Sequence, residues 1–475
     1  MTLTPDQKHY DAVVVGSGPN GLAAAITLGR KMPSVLLLEA KETIGGGCRS
    51  AEVTLPGFVH DICSAAHPLA VSSAFFRQLD LHQYGLSWVQ PEIPLAHPFE
   101  DGSAVFLHRS LDITADALGR DGRAYKDLLA PFVRNYEKLL ASILRPIPFP
   151  SHPFLMARFA SQALHSVDGL GKRKFNNPQT QALFAGLAAH AMIPLQQPAT
   201  AAFGIILAAL AHAVGWPFVK GGSQKLADAL SRCFLDRGGE IMTGHPVHSL
   251  DDMPRASQYF FDVTPRQLLD IHGLGLSEHY RQRLAGFRYG TGVYKMDWAL
   301  REPIPWRSDI CRKAGTVHLG NSYEEIAASV RCVNQGDISS APYVMLAQQS
   351  LFDPSRSPEG RHTAWAYCHV PHGSKADMAD AIEKKIERYA PGFREIILAR
   401  SAMSAAAMEI YNPNYVGGDI NGGKQDIFQL YTRPVAALNP YRTSQHNIFI
   451  CSSSTPPGGG VHGLCGYYAA RNLIK

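Results

Sequence analysis

The sequence predicts an α/β fold in which strands joined through helices form a parallel sheet, with a second, mixed sheet inserted. Three observations predict it. An apolar strand, a glycine bend, a helical run and a second strand ending in an acid follow one another from Tyr10 to Glu39. A glycine pair, a helix and strand-like residues recur over 218–250. The chain closes on an apolar strand, a Pro-Gly turn and a helix over 448–475. At roughly 100–200 residues per domain, 475 residues predict two or three structural units.

The first element is the most informative. "AVVV" is β-branched and apolar without alternation, as a strand buried on both faces is. Gly16, Gly18 and Gly21 follow in the spacing G-x-G-x-x-G, around Pro19 and Asn20. Gly16 permits a tight turn. Gly18 lets a pyrophosphate approach the backbone, and Gly21 lets the helix pack closely on the sheet. The open amides and dipole of the helix start attract phosphate. "SVLLLE" is the next strand, and Glu39, 23 residues after Gly16 and followed by Ala40, suits ribose hydroxyls. This pattern predicts a dinucleotide site.

Further along, "FVKGGSQKLADAL" predicts a helix starting near Ser223, with the Ser223 side chain as N-cap. "GGEIMTGHPVHSL" reads as strand, turn and strand, and Pro265 suits the first turn of a helix. Alternation in "GTGVYKMDWAL" puts Val293, Lys295 and Asp297 on one face of a strand, "HTAWAYCHVP" is another strand, and "SKADMADAIEKKIERYAPG" an amphipathic helix. The region from about 100 to 211 is helical, with a Pro/Phe loop over 145–155.

Composition narrows the function classes. A net charge of +5, with lysines and arginines scattered among acids, gives no nucleic-acid-binding face. The eight cysteines form no CxxC pair, so neither a metal site nor a redox dithiol is predicted. "MTLTPDQKHY" is not a secretory leader, and a reducing cytoplasm is expected. The most apolar run, 201–215, is shorter than the roughly 20 residues of a membrane span and reads as a buried helix.

"AKETIGGGCRS" carries a resemblance: an acid followed by Gly46, Gly47 and Arg49. With the segments at 218–250, 262–271 and 448–475, this resembles the phytoene dehydrogenase-related FAD-dependent oxidoreductases. These lie in the phytoene desaturase and amine oxidase superfamily and include the pyridine nucleotide-disulfide oxidoreductase domain proteins. The resemblance implies a Rossmann-like FAD-binding domain of the glutathione-reductase type, built from discontinuous segments, with a mixed-sheet substrate domain and a helical insertion. It divides the chain into 1–99, 212–265 and 436–475 for FAD, and 100–211 (helical) and 266–435 (mixed sheet) for substrate. It places Gly46, Gly47 and Arg49 near FAD, Val247 at the adenine end, and Pro457, Gly459, Gly460 and Val461 beside the flavin.

The activity so implied is hydride transfer from an apolar molecule, such as a lipid or polyene, to the flavin. No second glycine turn for a nicotinamide nucleotide is present, because "VGGDINGG" lacks a strand before it and a helix after it. Oxygen or a quinone is therefore the expected electron acceptor. Candidate catalytic residues are Asp419, His462 and His60. The segments 201–215 and 145–155 are candidates for chamber wall or peripheral membrane contact. Two alternatives share the fold: a flavin-dependent isomerase without net redox change, and a non-catalytic binder of lipidated or hydrophobic partners.

Overall fold

The computed structural model describes residues 9–146 and 151–474. In chain order the strands used here are β1 (Tyr10–Val15), β2 (Val35–Leu38), β3 (Ile93–Pro98), β4 (Ala104–Leu107), β5 (Glu240–Met242), β6 (Ala256–Phe261), β7 (Gly292–Leu300), β8 (Ala314–Leu319), β9 (Val344–Ala347), β10 (His362–Val370), β11 (Ile397–Met403) and β12 (Ile448–Ile450). The helices used are α1 (Pro19–Leu28), α2 (Pro178–Ala189), α3 (Thr200–Ala213), α4 (Gln224–Leu235), α5 (Pro265–Asp270) and α6 (Leu464–Ile474).

Five strands form a parallel sheet in the order β12-β6-β1-β2-β5. Its members come from residues 10–38, 240–261 and 448–450, so three distant parts of the chain build one α/β Rossmann-like sheet. Parallel neighbours cannot be joined by hairpins and need crossovers, and α1 makes the first. One face packs on α1, α4 and α6 through Leu22, Ile26, Leu226, Leu230 and Ala469. The other is covered by Leu268 of α5 and Leu284 of the helix Glu278–Ala285.

The second sheet has seven strands in the order β11-β7-β10-β9-β8-β3-β4. It is mixed: β3 and β8 run parallel, the other neighbours antiparallel. All nine residues of β7 are buried. On one face Met296 and Trp298 pack against Ile382, Ile386 and Tyr389 of the helix Ala379–Tyr389. Lys295 and Asp297 share the opposite face, as the alternation predicts, and pair with each other there. The helices between 111 and 213 form a core with Leu95 and Leu107 of this sheet.

Several elements differ from expectation. Residues 93–98 lie not in the first FAD-binding segment but in the mixed sheet, where β3 pairs with β8 and β4. Residues 266–285, expected in the substrate half, pack on the parallel sheet, where Leu268, Ile271 and Leu284 complete its apolar face. Within 238–250 no second strand follows β5; Ser249 makes only an isolated bridge to His272. Ser223 does not cap α4 with its side chain. Its Oγ meets His67 Nε2 at 2.8 Å and donates to Ser64 O at 2.7 Å, while its amide donates to Asp61 Oδ1 at 2.7 Å. Part of the Pro/Phe loop, 147–150, lies outside the described residues.

Candidate active site

The glycine bend is dictated by close approach. Gly16 has φ +99°, a left-handed conformation that glycine adopts without penalty. At Gly21 an added Cβ would stand 1.9 Å from Gly16 O, and at Gly466 of α6 one would stand 1.7 Å from Asn20 O. The bend, α1 and α6 therefore cross at a distance only glycine permits. The loop carrying Gly46 and Gly47 lies against the bend: Gly45 N donates to Ser17 O at 3.1 Å, and a Cβ on Gly46 would approach Gly18 Cα to 2.9 Å.

Glu39 is held from both sides. Its Oε2 accepts from Ser17 N at 3.0 Å and from the Ser17 hydroxyl; its Oε1 accepts from Lys41 N and Arg49 Nη2, each at 2.9 Å. Arg49 also donates to Thr43 O. Arg49 thus pairs with the acid at the end of β2, whereas the resemblance places it near the diphosphate or flavin.

Asp262, just beyond β6, enters the same bend and was absent from the sequence reading of the site. Its Oδ2 accepts from Gly21 N at 2.9 Å and lies 2.7 Å from where a Cβ on Gly18 would be. Burial pushes its carboxyl well above the usual range, the Gly21 amide opposes this, and Glu39 adds to it. Asn20 is nearly buried at the first turn of α1, and its Oδ1 has no partner among the described residues.

These groups border one cavity of about 590 Å³. It is lined by Gly16, Gly18, Pro19, Asn20, Glu39, Ala40, Gly46, Gly47, Arg49, Val247, Pro457, Gly459, Gly460 and Val461. Gly21 stands behind it. The cavity continues over the mixed sheet, where Thr316 and His318 of β8, Met345 and Ala347 of β9, and Trp365 and Tyr367 of β10 form a floor. Their register, Thr316 opposite Ala347 and Ala347 opposite Trp365, puts these side chains on one face. Phe203, Ile206 and Leu207 of α3 form the opposing wall, so the apolar run 201–215 turns apolar side chains into this chamber.

The three catalytic candidates lie elsewhere. None lines the cavity. Asp419 closes a turn: Oδ2 accepts from Gly290 N and Gly423 N, and Oδ1 from Asn421 N. His462 accepts from Leu464 N through Nδ1 at 3.0 Å and so caps the start of α6. His60 meets Thr54 Oγ1 at 2.8 Å and lies 3.5 Å from Asp297. Burial lowers its pKa to about 3, with the Lys295 charge acting in the same direction, so it is neutral in most conditions.

Sequence reasoning missed the chamber residues His190, His318, Trp216, Trp365 and Tyr367. For Trp365 and Tyr367 a signal existed, because both fall on one face of the strand read in "HTAWAYCHVP". His190 and His318 carried none: they are 128 residues apart and meet only when α2 is laid across β8.

The model for the NAD(P)-binding Rossmann-like domain matches residues 14–79. Pyridine nucleotide-disulfide oxidoreductase domain-containing protein 2 of Mus musculus is 25% identical, the alignment covering 98% of this chain and 94% of that protein. A lycopene-forming phytoene desaturase of Pantoea ananas is 23% identical, with 95% and 96% covered. The fold matches that of a putrescine oxidase bound to putrescine, with a TM-score of 0.61 at 17% identity, covering 98% of this chain and 99% of that one. Over nearly its whole length the chain is therefore similar to oxidoreductases, and it shares its fold with an amine oxidase. Its particular homologues include phytoene desaturases and pyridine nucleotide-disulfide oxidoreductase domain-containing protein 2.

Proposed function

We propose that this chain binds one FAD along the cavity and oxidises an apolar molecule held between α3 and the floor of β8, β9 and β10. One observation carries the reading: segments around 16–49, 247–262 and 457–461 line a single cavity that runs on into an aromatic and aliphatic chamber. A nicotinamide nucleotide would need the glycine bend alone, but here the lining continues to Gly459 and Gly460. The residues fit the group. Asn20 Oδ1 is a buried polar atom without a partner among the described residues at the helix start, and Gly16, Gly18 and Gly46 bring no side chain of their own to the cradle, which the Asp262 carboxyl enters.

When bound, the flavin supplies a hydride acceptor. The chain's own residues do the rest. The start of α1 would hold the diphosphate through its open amides. Glu39, itself oriented by Arg49 and Ser17, would receive the ribose. The chamber walls exclude water and orient the substrate, which is the main protein contribution in cofactor enzymes. Cytoplasmic localisation and reoxidation by oxygen or a quinone belong to the same proposal. Among the described residues no helix is long and apolar enough to cross a membrane.

The packing supports revised boundaries, with residues 93–107 grouped with the mixed sheet and 265–285 with the parallel sheet. Anaerobic titration tests the activity. An apolar alkene or amine that bleaches the flavin bands supports the reading. Bleaching by NADPH alone would replace it with a reductase.

A further inference from the structure

One pair of polar groups in the chamber has no role in holding a nucleotide. His190, at the end of α2, and His318, on β8, both line the chamber, with their Nε2 atoms 3.2 Å apart. Trp216 packs against both rings, with centroids at 6.0 and 6.1 Å, and so fixes their planes. Nearby polar groups are already engaged: the Thr316 hydroxyl donates to Pro94 O and the Tyr367 hydroxyl to Met345 Sδ. Among the described residues no three His, Cys, Asp or Glu side chains form a metal-holding group, so the pair is read as a hydrogen-bonding device.

The surroundings assign the tautomers. His97 Nε2 lies 2.6 Å from Gly320 O, so that nitrogen carries the proton and His97 Nδ1 a lone pair. The Tyr343 hydroxyl donates to Gly186 O at 3.0 Å, which leaves its oxygen as an acceptor. A Cβ built on Gly186 would lie 3.1 Å from His318 Nδ1, 3.4 Å from His97 Nδ1 and 3.0 Å from Tyr343 Oη, so these three atoms share one buried corner. His318 Nδ1 is buried there without a hydrogen-bond partner among the described residues; facing the lone pairs of His97 Nδ1 and Tyr343 Oη, it is better placed as N–H than as a third lone pair, so it carries the proton. Its Nε2 is then a lone pair that accepts from His190 Nε2–H. This leaves His190 Nδ1, which has no hydrogen bond among the described residues, as an acceptor. Burial keeps both rings neutral, pushing His190 down to about 4 and His318 further.

From this juxtaposition we infer that the substrate is an apolar molecule bearing a hydroxyl or N–H donor, which hydrogen-bonds to His190 Nδ1. The inference rests on the chamber proposed above as the substrate site and narrows its substrate from any apolar molecule to one with a donor head. His190 is only partly buried and lines the chamber, so its Nδ1 is open to a donor head that takes the place of water there.

Three probes of matched chain test it: 1-decanol, decyl methyl ether and decane, titrated against tryptophan fluorescence, to which Trp216 and Trp365 of the chamber contribute. The ether keeps the oxygen but lacks the O–H. Decanol should bind about fivefold more tightly than the ether, as one net hydrogen bond allows. His190→Phe should erase that preference without weakening decane, and His190→Asn, whose Oδ1 is an acceptor near the lost Nδ1, should restore part of it. Equal binding of alcohol and ether, a preference that survives in His190→Phe, or no binding of any probe overturns the inference. Flavin content, measured separately on the same preparation, reports on the cofactor reading independently.

Discussion

Arg49 Nη2 donates to Glu39 Oε1 at 2.9 Å, with only 8% of either side chain exposed. Ten residues apart, the two charges lock the loop over 40–49 to the end of β2 and fix the carboxylate beside the glycine bend. Removing one partner of a buried pair leaves the other charge uncompensated. Arg49→Ala should therefore lower stability by about 3 kcal/mol, measured by denaturant unfolding, and should weaken FAD binding. A loss within experimental error would mean that the pair does not hold the loop.

The glycines of the bend should fail in different ways. At Gly21 a Cβ meets the backbone oxygen of Gly16, which cannot give, so Gly21→Ala should disrupt the βαβ unit and yield unfolded or insoluble chain. At Gly18 it meets only the end of the Asp262 side chain. Gly18→Ala should stay folded by circular dichroism yet bind FAD at least about tenfold more weakly, a cost of roughly 1.4 kcal/mol. Full flavin content in Gly18→Ala would remove the bend from the cofactor site.

Asp262 makes cofactor retention pH-dependent. Its raised carboxyl pKa means that the folded state binds the proton more tightly than the unfolded one. That contribution is complete below the ordinary carboxylate value near about 4, declines as pH rises, and is gone above the folded value. Ionisation also places a negative charge where a diphosphate would lie. Flavin retention should fall as pH rises above the ordinary carboxylate range in the natural chain and stay flat in Asp262→Asn, the two differing only through this carboxyl. Parallel profiles would contradict this.

Arg356 is fully buried and holds two acids, donating to Asp61 at 3.1 Å and to Asp353 at 3.0 Å. Burial raises the Asp61 carboxyl, but Arg356, the Ser223 amide and the Ser50 hydroxyl outweigh it, so its pKa lies below the usual range. Its stabilisation is present above the ordinary value and is lost as pH falls through the folded one. Arg356→Ala should cost about 3–5 kcal/mol. Asp61→Asn should flatten the acid limb of the stability curve. An unchanged acid limb would assign acid sensitivity to other groups.

What the sequence made legible was local. The strand, bend and helix over 10–28 are encoded by contiguous residues, and Lys295 and Asp297 fall on one face of β7 by simple alternation. Charge alternation reads as solvent exposure, yet here the two charges neutralise each other inside the sheet. Ser223 looked like a cap because its spacing is right; a histidine 156 residues away takes its hydroxyl instead. His462, Asp419 and His60 drew notice as polar residues in glycine-rich or apolar settings, and such residues also close turns and cap helices. The His190–His318 pair was invisible for the same reason: long-range packing creates it.

The central claim is that three separated segments enclose a single FAD. Its most direct measurement is the nucleotide released on denaturing the purified chain, identified by mass and quantified against protein. The account predicts one FAD per chain, or stoichiometric uptake when FAD is added to colourless protein. Failure to take up FAD, or stoichiometric binding of a nicotinamide nucleotide at the same bend in its place, would contradict it.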